Sequence, residues 1–176
     1  MAYFYNFPVI PYDNFGEGNF QLMTNLLRRV GLRTKVSSNK LFFDTYEVKE
    51  GETPESLADK LYGDPELHYI IMMVNDISDR FYQWPKTSSQ FLSYLNDKYS
   101  NPDGVHHYEI AQTSGDTSVK VDIGTDNTDY PSAFIVTNRE YEQRLEDESR
   151  KIRLLVPEYV SDFVEEFNSL MGESRI

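Results

Sequence analysis

The spacing of apolar positions changes along the chain, and each change marks an element. In "NFQLMTNLLRRVG", Phe20, Met23, Leu26, Leu27 and Val30 recur at helical spacing, with Gly31 as a stop. "LFFDTYEVKEG" then reads as a strand ending in a turn at Gly51. Two helices follow. Thr53 caps the first, Pro54 suits its opening turn, Glu55 faces the positive end of the dipole, and Gly63 ends it. Leu57, Ala58, Leu61 and Tyr62 form its apolar stripe. The same grammar repeats with Asp64, Pro65 and Glu66, after which Leu67, Ile70, Ile71 and Val74 supply i, i+3, i+4 and i+7 contacts.

A third helix is predicted near 86–99, with Phe91, Leu92 and Leu95 inward and Asn101-Pro102 as its stop. Between Val105 and Thr137 the period falls to two, and "HHYEIAQ", "TSVKVDIG" and "SAFIVTN" read as short strands of a small sheet. "NREYEQRLEDESRKIRLLVP" begins as a charged helix capped at Asn138, anchored by Tyr141 and Leu145, and ends in a short strand at "KIRLLVP". A last amphipathic helix covers 157–171, with Val160, Phe163, Val164, Phe167 and Leu170 on one side. At about 1.5–3 kcal/mol for each large side chain, that stripe must be covered.

The first 18 residues fit neither period. Tyr3, Phe4, Tyr5, Phe7, Tyr12 and Phe15 alternate with Pro, Asn and Gly, which predicts an extended aromatic arm. So many large rings either pack back on their own domain or lie on a neighbouring subunit. The segment is apolar without a basic start, so it is not a signal peptide of the usual form, and no export address is expected.

Composition narrows the chemistry. Seventeen basic against 29 acidic residues give a net charge of −12, which disfavours nucleic acid and membrane surfaces as partners. No stretch is apolar enough for a membrane helix. There is no cysteine, so disulfides, thiolate catalysis and cysteine-held metals are excluded. His68 lies in a helix, and the rings of His106 and His107 should point to opposite faces of a strand, so no metal site is expected. The chain has no G-x-S-x-G elbow, P-loop, dinucleotide fingerprint or calcium loop. Glu165-Glu166 and Glu146-Asp147-Glu148 read as solvated faces, and no catalytic residue is expected.

"YEVKEGETPESLADKLYGDPELHYIIMMVND", residues 46–76, resembles the LysM domain, a β-α-α-β module that binds N-acetylglucosamine polymers. The matching pieces are Tyr46-x-Val48, Gly51-x-Thr53, Leu57-Ala58 and Asn75 after the second helix. Pro54 and the "YGDPELHY" turn depart from the pattern, and "DISDRFYQWP" stands where a second strand would follow. A peptidoglycan-binding module, with Gly51, Glu52, Thr53 and the Ile77 loop near the sugar, is therefore the alternative function.

Over roughly residues 20–170, the order "TNLLRRVGL", the LysM-like stretch, "DRFYQWP", "KYSNPDGVHHYE" and "VTNREYEQRLEDESRKIRLLVPEYVSDFVEEF" resembles the LysM-like baseplate wedge proteins of T-even-type contractile-tailed phages. That resemblance implies a non-enzymatic structural subunit, without cofactor, joining wedge subunits and adjacent wedges into the ring around the hub. Its partners would be other wedge proteins, with the sheath initiator and the hub as further candidates. Copies would be arranged around the tail axis, in the baseplate of a virion assembled in the host cytoplasm. It also implies an α+β fold with a LysM-like core. "IRLLVP" resembles the closing end of a LysM module and should pair with the strand around Phe43–Val48. The expected organisation is an arm at 1–18, a helix and LysM-like strand-helix-helix at 19–77, an inserted helix, small sheet and charged helix at 78–150, and a closing strand and helix at 151–176. Tyr3, Phe4, Tyr5, Phe7, Tyr12, Phe163 and Phe167 are the expected partner contacts.

Overall fold

The computed structural model describes residues 3–28, 30–32, 36, 38–116 and 118–172. The chain is α+β and divides into two compact units. One is drawn from Met1–Val48, Glu52–Trp84 and Ile152–Ile176, the other from Lys49–Gly51 and Pro85–Lys151.

In the first unit the capping signals act as the sequence suggests. Helix α1 (Pro54–Tyr62) starts at Thr53, whose hydroxyl accepts from the Ser56 N–H while the Ser56 side chain accepts from the Thr53 N–H. It stops at Gly63, which takes a left-handed φ of 73°. A 3₁₀ turn at Pro65–Leu67, capped by Asp64, leads into α2 (His68–Val74). Helix α2 is buried on two sides. Tyr69, Ile70 and Val74 join Phe7, Leu155, Phe167 and Met171 in one cluster. Ile71 joins Val48, Leu57, Ala58, Trp84, Ile152 and Leu154 in the other. A short helix α3 (Arg80–Gln83) follows.

The strand at Phe43–Glu47 and the strand at Lys151–Leu155 form a two-stranded sheet, so the expected pairing of these distant segments is present. In the later strand Ile152 and Leu154 feed one cluster and Leu155 the other, as the two-residue alternation of a strand requires. Helix α6 (Val160–Gly172) packs Phe167 and Met171 into the first cluster.

The segment 20–30 differs from its helical expectation. Strands β1 (Val9–Tyr12) and β2 (Gln21–Thr24) pair antiparallel in a two-stranded ribbon. With this ribbon numbered first, the Phe43–Glu47 strand is β3 and the Lys151–Leu155 strand is β7. Asp13 organises the turn: Oδ1 accepts from the N–H of Phe15 at 3.1 Å and of Gly16 at 2.8 Å, and Oδ2 from Gly18 at 2.7 Å. That turn folds β1 back as a pairing partner, while a helix would have needed a surface for its stripe. Phe20, Met23, Leu26 and Leu27 are exposed instead. Residues 3–12 are also not simply extended, because Tyr3–Asn6 forms a 3₁₀ turn before β1 begins.

The second unit holds α4 (Ser88–Lys98), a three-stranded antiparallel sheet and α5 (Asn138–Ser149). The sheet order is β5 (Lys120–Gly124), β4 (Val105–Ala111), β6 (Phe134–Thr137). Phe91 and Leu95 of α4 are buried, whereas Leu92, expected inward, is half exposed.

Candidate protein interface

Large apolar side chains in water concentrate in one part of the first unit. Tyr5 is 83 % exposed, Phe15 82 %, Leu22 79 % and Leu27 91 %, and Phe4, Val9, Tyr12, Phe20, Met23 and Leu26 are exposed beside them in sequence. All four positions of β2 are exposed. Phe81 and Tyr82, side by side in α3, form a second exposed aromatic pair.

The residues expected to contact partners fall into two groups. Phe4, Tyr5 and Tyr12 are exposed. Tyr3 stacks on Phe167 with ring centroids 5.9 Å apart and meets Tyr69 at 5.0 Å. Phe7 and Phe167 are buried in the same cluster. Phe163 is half-buried and lines an apolar groove of about 400 Å³ with Val30, Leu32, Phe42, Met73 and Tyr159. The exposed residues sequence reasoning passed over, Leu22, Phe81 and Tyr82, carry no signal except their place in short, poorly covered elements.

The turn that would meet a sugar in a LysM module is occupied internally. Tyr46 donates its hydroxyl to the Glu52 carboxylate at 2.9 Å, and Lys60 reaches the same carboxylate at 3.3 Å. The Thr53 hydroxyl serves as a helix cap, and the indole N–H of buried Trp84 donates to the Glu52 carbonyl at 2.8 Å. These groups are spent on the fold rather than presented for a ligand.

In the second unit the buried polar groups among the described residues are His107 and Glu109 on β4 and two carboxylates on α5. Glu142 and Glu146, one turn apart, are buried, while Leu145, expected as an anchor, is half exposed. Glu146 had read as part of a solvated face. It is buried because it has partners: the Lys86 N–H donates to it at 2.6 Å, and Lys86 Nζ and Arg150 lie at 3.8 and 3.4 Å. Glu142 accepts from Tyr94, Lys98 and Tyr99 at 3.0, 2.8 and 2.7 Å. Burial pushes its carboxyl up, but the hydrogen bonds from Lys98, Tyr99 and Tyr94 outweigh that and hold it below the usual carboxylate range. Helix α5 is capped by Thr137 rather than Asn138. The Thr137 hydroxyl accepts from the Glu140 N–H and Glu140 reaches back, while the Asn138 side chain donates to the Asn101 carbonyl. The T-x-x-E signal at 137–140 was there to be read.

The histidine pair also departs from expectation. A register shift between Val105 and His107 breaks the alternation of β4 and brings the Nδ1 atoms of His106 and His107 within 2.8 Å. One ring donates and the other accepts. His106 stacks on Tyr141 at 3.9 Å, and His107 Nε2 faces Glu109 at 3.3 Å. Among the described residues no group of three or more His, Asp or Glu side chains could hold a metal, and no helix is long and apolar enough to cross a membrane.

Large aromatic and aliphatic groups gathered in one exposed segment are a feature that protein-binding surfaces share. The chain belongs to the family described as base plate wedge protein 53, whose pattern matches residues 18–121. It is similar to baseplate wedge protein gp53 of Enterobacteria phage T4, 26 % identical over 145 residues that cover 74 % of each chain. It is thus a phage baseplate protein by family, and the match spans β2, the α1–α2 pair, and the inserted α4 and β4.

Proposed function

We propose that this chain is a structural subunit of a phage tail baseplate wedge, without catalysis, that joins wedge subunits and adjacent wedges into the ring around the hub. The observation that carries the reading is the run of exposed apolar side chains from Phe4 to Leu27 in a member of a wedge family. Interfaces of assembled proteins are enriched in such aromatics at their centres. Phe4, Tyr5 and Tyr12 act as direct contacts, Phe163 as part of an apolar groove, and Tyr3, Phe7 and Phe167 as the packed base beneath. Other wedge proteins are the partners, with the sheath initiator and hub next in line. The subunit is assembled in the host cytoplasm and ends in the virion baseplate.

We further read β3, α1, α2 and β7 as a LysM-like core, interrupted by an insertion over 78–150 and kept for its shape rather than for sugar binding. The test is complementation of a phage whose own copy is inactivated. The chain should restore closed baseplate rings in electron micrographs, and a Phe15→Ser, Leu27→Ser double variant should leave unjoined wedges. Normal rings from the double variant would count against the reading.

A further inference from the structure

The β1–β2 ribbon has one edge broken by a proline and one unbroken edge, and its register tells them apart. The Asn25 N–H donates to the Pro8 carbonyl at 2.8 Å, one step beyond the Val9↔Thr24 pair. Antiparallel partners alternate between pairs that exchange backbone hydrogen bonds and pairs that do not. The bonded pairs are therefore Pro8–Asn25, Ile10–Met23 and Tyr12–Gln21, and Val9, Pro11, Leu22 and Thr24 turn their backbone groups outward. Pro11 agrees with this phase, because proline fits a ladder only where its missing donor would face away. The outer edge of β1 thus lacks a donor at Pro11. The outer edge of β2 keeps the N–H and C=O groups of Leu22 and Thr24, and no hydrogen bond reaches them among the described residues.

The second edge is short, at four residues, but otherwise unguarded. "QLMT" contains no proline, no charge and no bulge, which are the usual protections of an exposed strand. A ribbon of two strands is marginal by itself, so the open edge is a functional feature to be explained. Alternating donors and acceptors in a row are matched by another extended strand and not by a helix face.

We propose that an extended strand from a different baseplate chain adds to the outer edge of β2, held by the backbone of Leu22 and Thr24. This rests on the wedge reading above. A second copy is the poorer occupant, because each copy carries a charge of −12. The added strand is neutral or basic and carries apolar side chains at alternate positions. On one face of the ribbon it adjoins exposed Leu22, on the other exposed Met23.

The experiment compares amide hydrogen exchange of the full chain, free and within purified baseplates. The Leu22 and Thr24 amides should slow by at least about tenfold on assembly, beyond the change at Val9 on the proline-broken edge. Thr24→Pro removes an outward donor and no β1–β2 bond, so incorporation should fall by about tenfold while Thr24→Ala incorporates normally. Should Thr24→Pro misfold, the exchange measurement on the native chain decides. Baseplates that contain the chain with unprotected Leu22 and Thr24 amides would overturn the inference and leave the wedge reading standing. So would a free chain that sediments as a dimer and becomes a monomer in Thr24→Pro. Baseplates without the chain would overturn both.

Discussion

The side chain of Asn75 holds both backbone groups of Arg153, 78 positions away. Its Oδ1 accepts from the Arg153 N–H at 2.8 Å, and its Nδ2 donates to the Arg153 carbonyl at 2.7 Å and to the Ile71 carbonyl at 2.8 Å. The amide therefore acts as a one-residue strand, tying the end of α2 to the buried strand β7. Arg153 returns the contact through its guanidinium, which donates to the Val74 carbonyl at 3.0 Å. Since β7 also pairs with β3, this amide helps fix how the sheet sits on α2.

Asn75→Ala should cost about 2–4 kcal/mol, because it strands backbone groups of β7 in a poorly hydrated place. The melting temperature of the isolated chain should fall by about 5–15 °C, read by calorimetry. Asn75→Asp keeps the acceptor but sets a carboxylate against two carbonyls. It should be at least as damaging at neutral pH, and a near-native melting point would show that Asn75 does not tie β7.

Phe167 and Phe15 should separate packing from assembly. Phe167→Ala empties part of a core shared with Tyr3, Phe7 and Tyr69, and should cost about 3–5 kcal/mol in the free chain. Phe15→Ser acts on a ring already in water and should change stability by less than about 0.5 kcal/mol while weakening wedge assembly. Urea unfolding of both free variants, beside wedge co-purification, tests the distinction.

Acid should loosen the second unit through Glu142. Its carboxyl titrates below its ordinary value of 4.5 in the folded state, so folding favours the ionised form. The stability this contributes is complete above that value and is lost as pH falls through the depressed folded one. Glu142→Gln should cost about 2–4 kcal/mol near neutral pH and flatten the loss that sets in as pH falls below the ordinary value of 4.5, followed as the urea midpoint.

Alkali acts in the opposite sense on two tyrosines of the first unit. Burial pushes the Tyr62 and Tyr69 hydroxyls up to about 12. Folding thus favours the neutral phenols, and their contribution is full below an ordinary value of 10.0 and lost as pH rises towards 12. Ultraviolet titration should show Tyr62 and Tyr69 among the late-ionising tyrosines, and both should become ordinary on unfolding. Tyr62→Phe should remove one of them and cost about 1 kcal/mol by orphaning the Leu155 carbonyl, which accepts the phenol at 3.0 Å.

Local signals were legible wherever the physics was local. The Thr53, Pro54 and Gly63 set bounds α1 because caps and a left-handed stop act within one turn of chain. The helical spacing at 20–30 failed because a stripe stabilises a helix only when something covers it. Here the Asp13 turn supplied a strand partner first. The buried glutamates of α5 were invisible for a related reason. A carboxylate reads as surface until Tyr94, Lys98 and Tyr99 arrive from another helix to satisfy it. Of the candidate interface, the sequence revealed an excess of aromatics near its start, but not which of them the core would take.

By itself, then, the sequence determined the capped helices, the alternating strands, the acidic and cysteine-free chemistry, and the family likeness. Each of these is written in neighbouring residues or in composition. Only the tertiary structure decided that Tyr3, Phe7 and Phe167 share one core while Phe4, Tyr5 and Phe15 stay in water. Only it decided that His106 and His107 meet, and that no hydrogen bond reaches the outer edge of β2 among the described residues. Those outcomes depend on which distant groups occupy the same space, and no local pattern records that competition.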